Sequence, residues 1–208
     1  MAKPGNICSS GKAPCTTGRS SKRRELADCQ YATSDVSADQ CFCSCAVGDD
    51  NYAYCLSSVF NRDIISDLLL HRVPLDRIED IAAWEPWGYL NGAWAWGNPP
   101  TTVAPARRWG EISWRNLGGS RWVFTWLNME PLGIHYMVLN GPTDDMFATP
   151  EGVLILPAPD IPSENGNYVA SPYGGFIFPG STTEKFDFAV SQWNGDVYRV
   201  MQFRADGL

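Results

Sequence analysis

No apolar run in this 208-residue chain approaches the ~20 residues that an α-helix needs to cross a bilayer, so no membrane partner is expected. Met1–Asn6 is followed by polar Ser, Gly and Thr where a secretory leader would carry its apolar core, and no signal peptide is read there. Basic charge is also in deficit. Lys and Arg number 16 against 23 Asp and Glu, for a formal charge of −7. Holding a phosphate backbone needs a basic face, so nucleic acid is excluded as a partner and a neutral ligand is expected. Histidine is almost missing: His71 and His135 lie far apart and share no local constellation, which leaves a Ser-His-Asp triad or a histidine metal site without support. Phosphate-loop, dinucleotide and EF-hand patterns are absent as well. The expectation is therefore no cofactor and no metal.

What is present is aromatic and turn-rich. Aromatics make up 12% of residues, beside 19 glycines and 15 prolines, a mixture suited to many short strands joined by tight turns. An all-β chain with one main domain follows.

The chain divides sharply by composition. All seven cysteines precede residue 56, and all nine tryptophans follow residue 83. Residues 1–55 hold six basic and six acidic side chains, so the net charge arises wholly in the later part. In "CFCSC", an extended backbone puts Cys41, Cys43 and Cys45 on one face. Paired Cys knuckles and histidine are both missing from the segment, so disulfides are favoured over a metal. Residues 1–67 are expected to form a Cys-rich, largely irregular and poorly ordered extension, and residues 68–208 the β domain.

In that domain "RWVFTWL" alternates Trp122, Phe124 and Trp126 with Val123, Thr125 and Leu127, two largely apolar faces that mark a strand packed on both sides. "EISWR", "IHYMVL", "GVLIL", "FDFAVSQ" and "VYRVMQF" read the same way. "NLGGS" and "WNGD" supply tight turns. Glu111 to Leu156 is expected to form one four-stranded unit, Gly175 to Phe203 three strands of another, and Leu68 to Val73 a further strand. A helical turn capped by Asp76 is expected after it. Small sheets that are apolar on both faces must stack on other sheets, and the β-propeller does so radially. A sandwich is the alternative.

"LLLHRVPLDRIEDIAAWEPW", "RRWGEISWRNLGGSRWVFTWLN" and "SPYGGFIFPGSTTEKFDFAVSQWNGDVYRVMQFR" occur in the order seen in the domain of unknown function 4185 family, which the chain resembles over about residues 68–204. That family is similar to five-bladed propeller glycosidases and includes endo-acting D-arabinan hydrolases of glycoside hydrolase family 183. The resemblance implies a partial β-propeller of about two to three blades, the C-terminal part of a longer domain, with the remaining catalytic acids on earlier blades. It also implies an extracellular protein that acts on arabinan-like furanose polysaccharides.

Glycoside hydrolysis needs two carboxyl groups flanking the anomeric carbon. Glu111, at the start of an inner-strand candidate, is the acid suited to face an axial cleft, and the resemblance makes it the catalytic candidate. No second acid stands out: Asp144 and Asp145 sit in a turn, and Asp187 lies mid-strand. Sugar binding asks less, because aromatic faces stack on C–H surfaces while amides bond hydroxyls. Trp87, Trp94 and Trp96 in the Pro- and Gly-broken "WEPWGYLNGAWAWGNPP" are platform candidates. Tyr173 is placed at a ligand-binding mouth, and Gln192 and Asn194 flank a hairpin, whereas Trp193 is assigned to packing between sheets. The expected partner is a polysaccharide or glycan. A noncatalytic carbohydrate-binding protein is the alternative, and so is a truncated gene product whose exposed blade edges would self-associate.

Overall fold

The computed structural model describes residues 41–59, 61–157, 168–193, 195 and 198–208. They fall into two compact units, one ending at Arg107 and one running from Arg108 to Leu208.

The first unit is an antiparallel five-stranded sheet in sequence order: β1 (Cys41–Val47), β2 (Tyr52–Val59), β3 (Leu69–Pro74), β4 (Glu85–Leu90) and β5 (Ala93–Trp96). The expected irregular extension is corrected from Cys41 onward. Alternation in "CFCSCAV" and "YAYCLSSV" makes two strands, and β2 pairs with β3 across residue 67 from Tyr52↔Pro74 to Ser57↔Leu69. The period of two runs here through polar and cysteine side chains. Cys45 and Cys55 face each other in the register and form a disulfide, and Cys43 is also disulfide-bonded. Ala53, Val73 and Ala83 pack together with Trp84, while Leu56, Leu68, Leu69 and Leu70 are almost fully buried. The link from β3 to β4 holds two short 3-10 turns, Leu75–Arg77 and Ile81–Ala83. Asp80 rather than Asp76 provides the cap, accepting from the Ala82 N–H at 3.0 Å. Asn91 and Gly92, at φ 53° and 85°, turn β4 into β5 with the two left-handed residues that a tight hairpin requires.

The second unit stacks two sheets. β6 (Trp109–Gly118), β7 (Arg121–Met129), β8 (Leu132–Leu139) and β9 (Gly152–Pro157) form an antiparallel meander, and β10 (Tyr168–Val169) adds to β9 in parallel. β11 (Pro172–Ile177), β12 (Phe186–Trp193) and β13 (Tyr198–Ala205) form the other sheet, also antiparallel. Each expected strand group of this domain is present. Val123, Leu127, Ile134 and Ile155 from the first sheet meet Ile177, Phe186, Phe188 and Val190 from the second, each such side chain contributing about 1.5–3 kcal/mol on full burial. The opposite face of β7 is aromatic and equally buried, with Trp126 stacked on Phe124 at 4.9 Å and Trp109 edge-on to Trp126 at 5.7 Å.

Two hydrogen bonds fix the stacking of the sheets. The Thr125 hydroxyl donates to the Gly175 carbonyl at 2.9 Å, and the Ile177 N–H donates to Ser113 Oγ at 3.1 Å. Gly175 has no alternative at this crossing, because a Cβ there would lie 2.6 Å from Ile134 Cγ2.

Candidate functional site

Glu111 lies on a β-bulge. Trp109 pairs with Asn128 and Ile112 with Trp126, so β6 carries one residue more than β7 across this stretch. Bulges re-aim side chains, and Glu111 is turned into a buried position at 5% exposure. A second bulge lies against it. Tyr173 pairs with Ser191 and Gly175 with Val190, which leaves Gly174 as the extra residue of β11. Gly174 has φ +69°, and a Cβ built on it would stand 3.6 Å from Glu111 Cβ. Since Ile177 bonds Ser113 while Gly174 covers Glu111, β6 and β11 run in the same direction and begin at a common end.

The end of β12 and the start of β13 reach that same end. Gln192 pairs with Pro172 and Arg199, and strand parity puts its side chain on the face that Val190 and Phe188 present to the core. It is 2% exposed, and among the described residues its amide nitrogen has no hydrogen-bond partner. Tyr173 lies on the opposite face, its ring edge-on to Tyr198 with centroids 6.4 Å apart. The Tyr198 hydroxyl donates to Ser191 Oγ at 2.7 Å. Trp193 corrects the expectation of packing between sheets: it is 57% exposed, because Ser191 and Trp193 alternate away from the core-facing Val190 and Gln192. Asn194, another substrate-binding candidate, lies outside the described residues.

Most other carboxylates of this unit have structural partners. Asp144 accepts from the Asn140 N–H and Asp145 from the Phe147 N–H, as expected of turn residues. Asp187 forms a two-bond fork with Arg204 at 2.9 and 2.8 Å, which holds its carboxyl below the usual range. Glu130 pairs with Arg108, and Glu151 meets the buried His135 Nδ1 at 2.5 Å. His135 is thus tied to a specific acid that lies 16 residues away in sequence, a pairing no local spacing announced. A cavity of about 470 Å³ opens beside Tyr136, Phe188, Phe203 and Leu208, and none of the expected site residues lines it.

In the first unit the hairpin of β4 and β5 brings Trp87, Trp94 and Trp96 together. Trp87 pairs with Trp96 and Tyr89 with Trp94, so all four rings share one face and interleave. Trp87 lies 4.9 Å from Trp96 and 6.0 Å from Trp94, which meets Tyr89 at 5.6 Å. The run continues through Arg72, whose guanidinium sits 4.4 Å from the Trp96 ring and 4.6 Å from that of Tyr52. Glu85 anchors Arg72 at 2.8 Å. The stack is half-buried along its length. The prolines and glycines bounding this stretch had obscured the alternation of Trp and Ala in "AWAW".

Two buried groups of this unit, Tyr54 and His71, depart from their ordinary titration. Burial pushes the Tyr54 hydroxyl up to about 12, helped by its hydrogen bond to Asp50, and burial alone depresses His71 to about 3. Among the described residues no group of three or more His, Cys, Asp or Glu is arranged to hold a metal ion, and no helix is long and apolar enough to cross a membrane.

A family model described as "Domain of unknown function (DUF4185)" matches residues 15–204. The match extends upstream of residue 68 into the Cys-rich segment. An uncharacterized 35.9 kDa protein in the asd 3' region of Mycolicibacterium smegmatis is 31% identical, over 76% of this chain and 48% of its own length. Notoamide biosynthesis cluster protein J' of Aspergillus versicolor is 30% identical, over 61% of this chain and 33% of its own. Protein J of the corresponding cluster in Aspergillus sp. (strain MF297-2) is 27% identical, with 61% and 32% covered. The chain thus spans half or less of the length of these relatives.

Proposed function

The chain belongs to the DUF4185 family, and on that premise we propose that it is a carbohydrate-active protein of the glycoside hydrolase type, directed at arabinan-like furanose polysaccharides. The observation that carries the reading is the buried Glu111 carboxylate, aimed by one bulge and covered by another. In this reading the stacked antiparallel sheets are blades of a five-bladed propeller, and the common end of β6, β11 and β12 is the sugar-binding mouth.

Glu111 serves as the acid that protonates the departing glycosidic oxygen. Gln192 offers an amide N–H to a sugar hydroxyl, and Tyr173 shapes the rim. Trp87, Trp94 and Trp96 present ring edges and partly open faces to the C–H surface of successive sugars.

A second reading is binding without turnover. The ion pairs and turn contacts of Asp187, Glu130, Glu151, Asp144 and Asp145 favour it, because hydrolysis needs a second carboxyl opposite the first. Incubating the chain with soluble linear arabinan and measuring new reducing ends separates the two. Turnover that is lost in Glu111→Gln while binding survives supports the hydrolase. Binding without turnover selects the second reading, and absence of both overturns the carbohydrate assignment. Turnover that persists in Glu111→Gln removes Glu111 from the mechanism.

A further inference from the structure

The face of the three-stranded sheet that points away from the core carries an aromatic cluster sharing only Tyr173 with the site above. Parity creates it. Along β12, Phe186, Phe188 and Val190 enter the core, so Asp187, Ala189, Ser191 and Trp193 face outward, opposite Arg204, Gln202, Val200 and Tyr198 of β13. Trp193 and Tyr198 are direct cross-strand partners, at 57% and 58% exposure. Tyr173 closes the cluster edge-on to Tyr198, and the Tyr198 hydroxyl is oriented by its bond to Ser191. The two charges of the face cancel in the Asp187–Arg204 fork.

We propose that Trp193, Tyr198 and Tyr173 form a second carbohydrate-stacking subsite, one that takes a neutral sugar ring of the same polymer. The proposal rests on the reading that this chain handles neutral glycans. Exposed indole and phenol rings offer stacking surface at little conformational cost. The phenol hydroxyls supply polar contacts that a polyol needs and a purely apolar partner would leave unmet. Charge matches too, since a face whose ions are paired with one another suits an uncharged polymer. Tyr173 is the neighbour of Gly174, so the cluster begins one residue from the Glu111 contact, and a polymer could occupy both surfaces.

The test is the affinity of the full chain for soluble linear arabinan, with Trp193→Ala and Tyr198→Ala beside the wild type. Each substitution is expected to weaken binding roughly three- to tenfold while the chain still unfolds cooperatively, because both rings lie outside the core. Wild-type affinity in both variants, with binding still weakened by Trp94→Ala, overturns this subsite and leaves the carbohydrate reading standing. Failure of the wild type to bind overturns both. A dimer that Trp193→Ala converts to monomer, with glycan affinity unchanged, assigns the face to a second copy of the chain and overturns the subsite.

Discussion

Gly174 and Glu111 meet bulge against bulge, and the position of a Gly174 Cβ lies 3.6 Å from Glu111 Cβ. That distance is ordinary van der Waals contact, so an alanine fits beside the acid, while its backbone at φ +69° resists any L side chain. Phe176 Cε2, at 3.1 Å, is the end of a half-exposed ring that can yield.

Gly174→Ala is therefore expected to cost about 1–2 kcal/mol, the usual penalty for a left-handed residue with a Cβ, with Glu111 left in place. Gly174→Val adds branches on the Glu111 side and should also abolish whatever Glu111 does. Urea unfolding reads the first effect and arabinan turnover or binding the second. Equal stability of Gly174→Ala and wild type would refute the strain.

Trp87 touches both Trp96 and Trp94, so it is the centre of the interleaved rings. Trp87→Ala should cost about 1–3 kcal/mol beyond the loss of buried area, from two aromatic pairs. Its far-ultraviolet circular dichroism should lose the exciton couplet of closely coupled indoles. An unchanged spectrum would show that the rings do not interleave in solution.

His71 couples stability to pH. Its folded pKa, about 3, lies below the ordinary 6.5, so the native state excludes a proton that the unfolded chain accepts. Stability is complete above the unfolded value and falls as pH drops from about 6.5 toward 3, by up to about 1.4 kcal/mol per pH unit. Urea midpoints at about pH 7, 6 and 5 measure the slope, and His71→Gln should flatten it. A slope that His71→Gln leaves intact would assign the effect to other groups.

The C-terminal unit was legible in the sequence where one pattern dominated. "RWVFTWL" had two apolar faces and became the buried β7, while "NLGGS" became a turn with Gly118, Gly119 and Ser120 all at positive φ. Cys41–Val59 was misread because its alternation runs through cysteine and serine, residues equally common in irregular segments. Trp193 was misread because an indole usually packs, and only strand parity says which way it points. The bulges at Glu111 and Gly174 exist only as a register offset between two strands. Their local hint was glycine, at Gly110 and in the pair Gly174–Gly175, and a Cβ on Gly110 would lie 2.6 Å from Leu127 Cβ. Pairings such as His135 with Glu151 depend on where a loop returns, which no single stretch encodes.

The seam between β3 and β4 is short, with His71↔Pro86 and Arg72↔Glu85 its only register pairs. Across it run the Arg72–Glu85 ion pair, the contact of Arg72 with Trp96 and the ring contact of Tyr54 with Trp96 at 5.8 Å, so few side chains couple the hairpin to the strands before it. The hairpin should therefore open as a cooperative segment of its own, below the free energy of global unfolding. Amide hydrogen exchange would register faster deuterium uptake across Glu85–Trp96 than across Tyr52–Val59, and Arg72→Met would widen the gap. Uniform uptake across both would mean that the seam is no weaker than the sheet it joins.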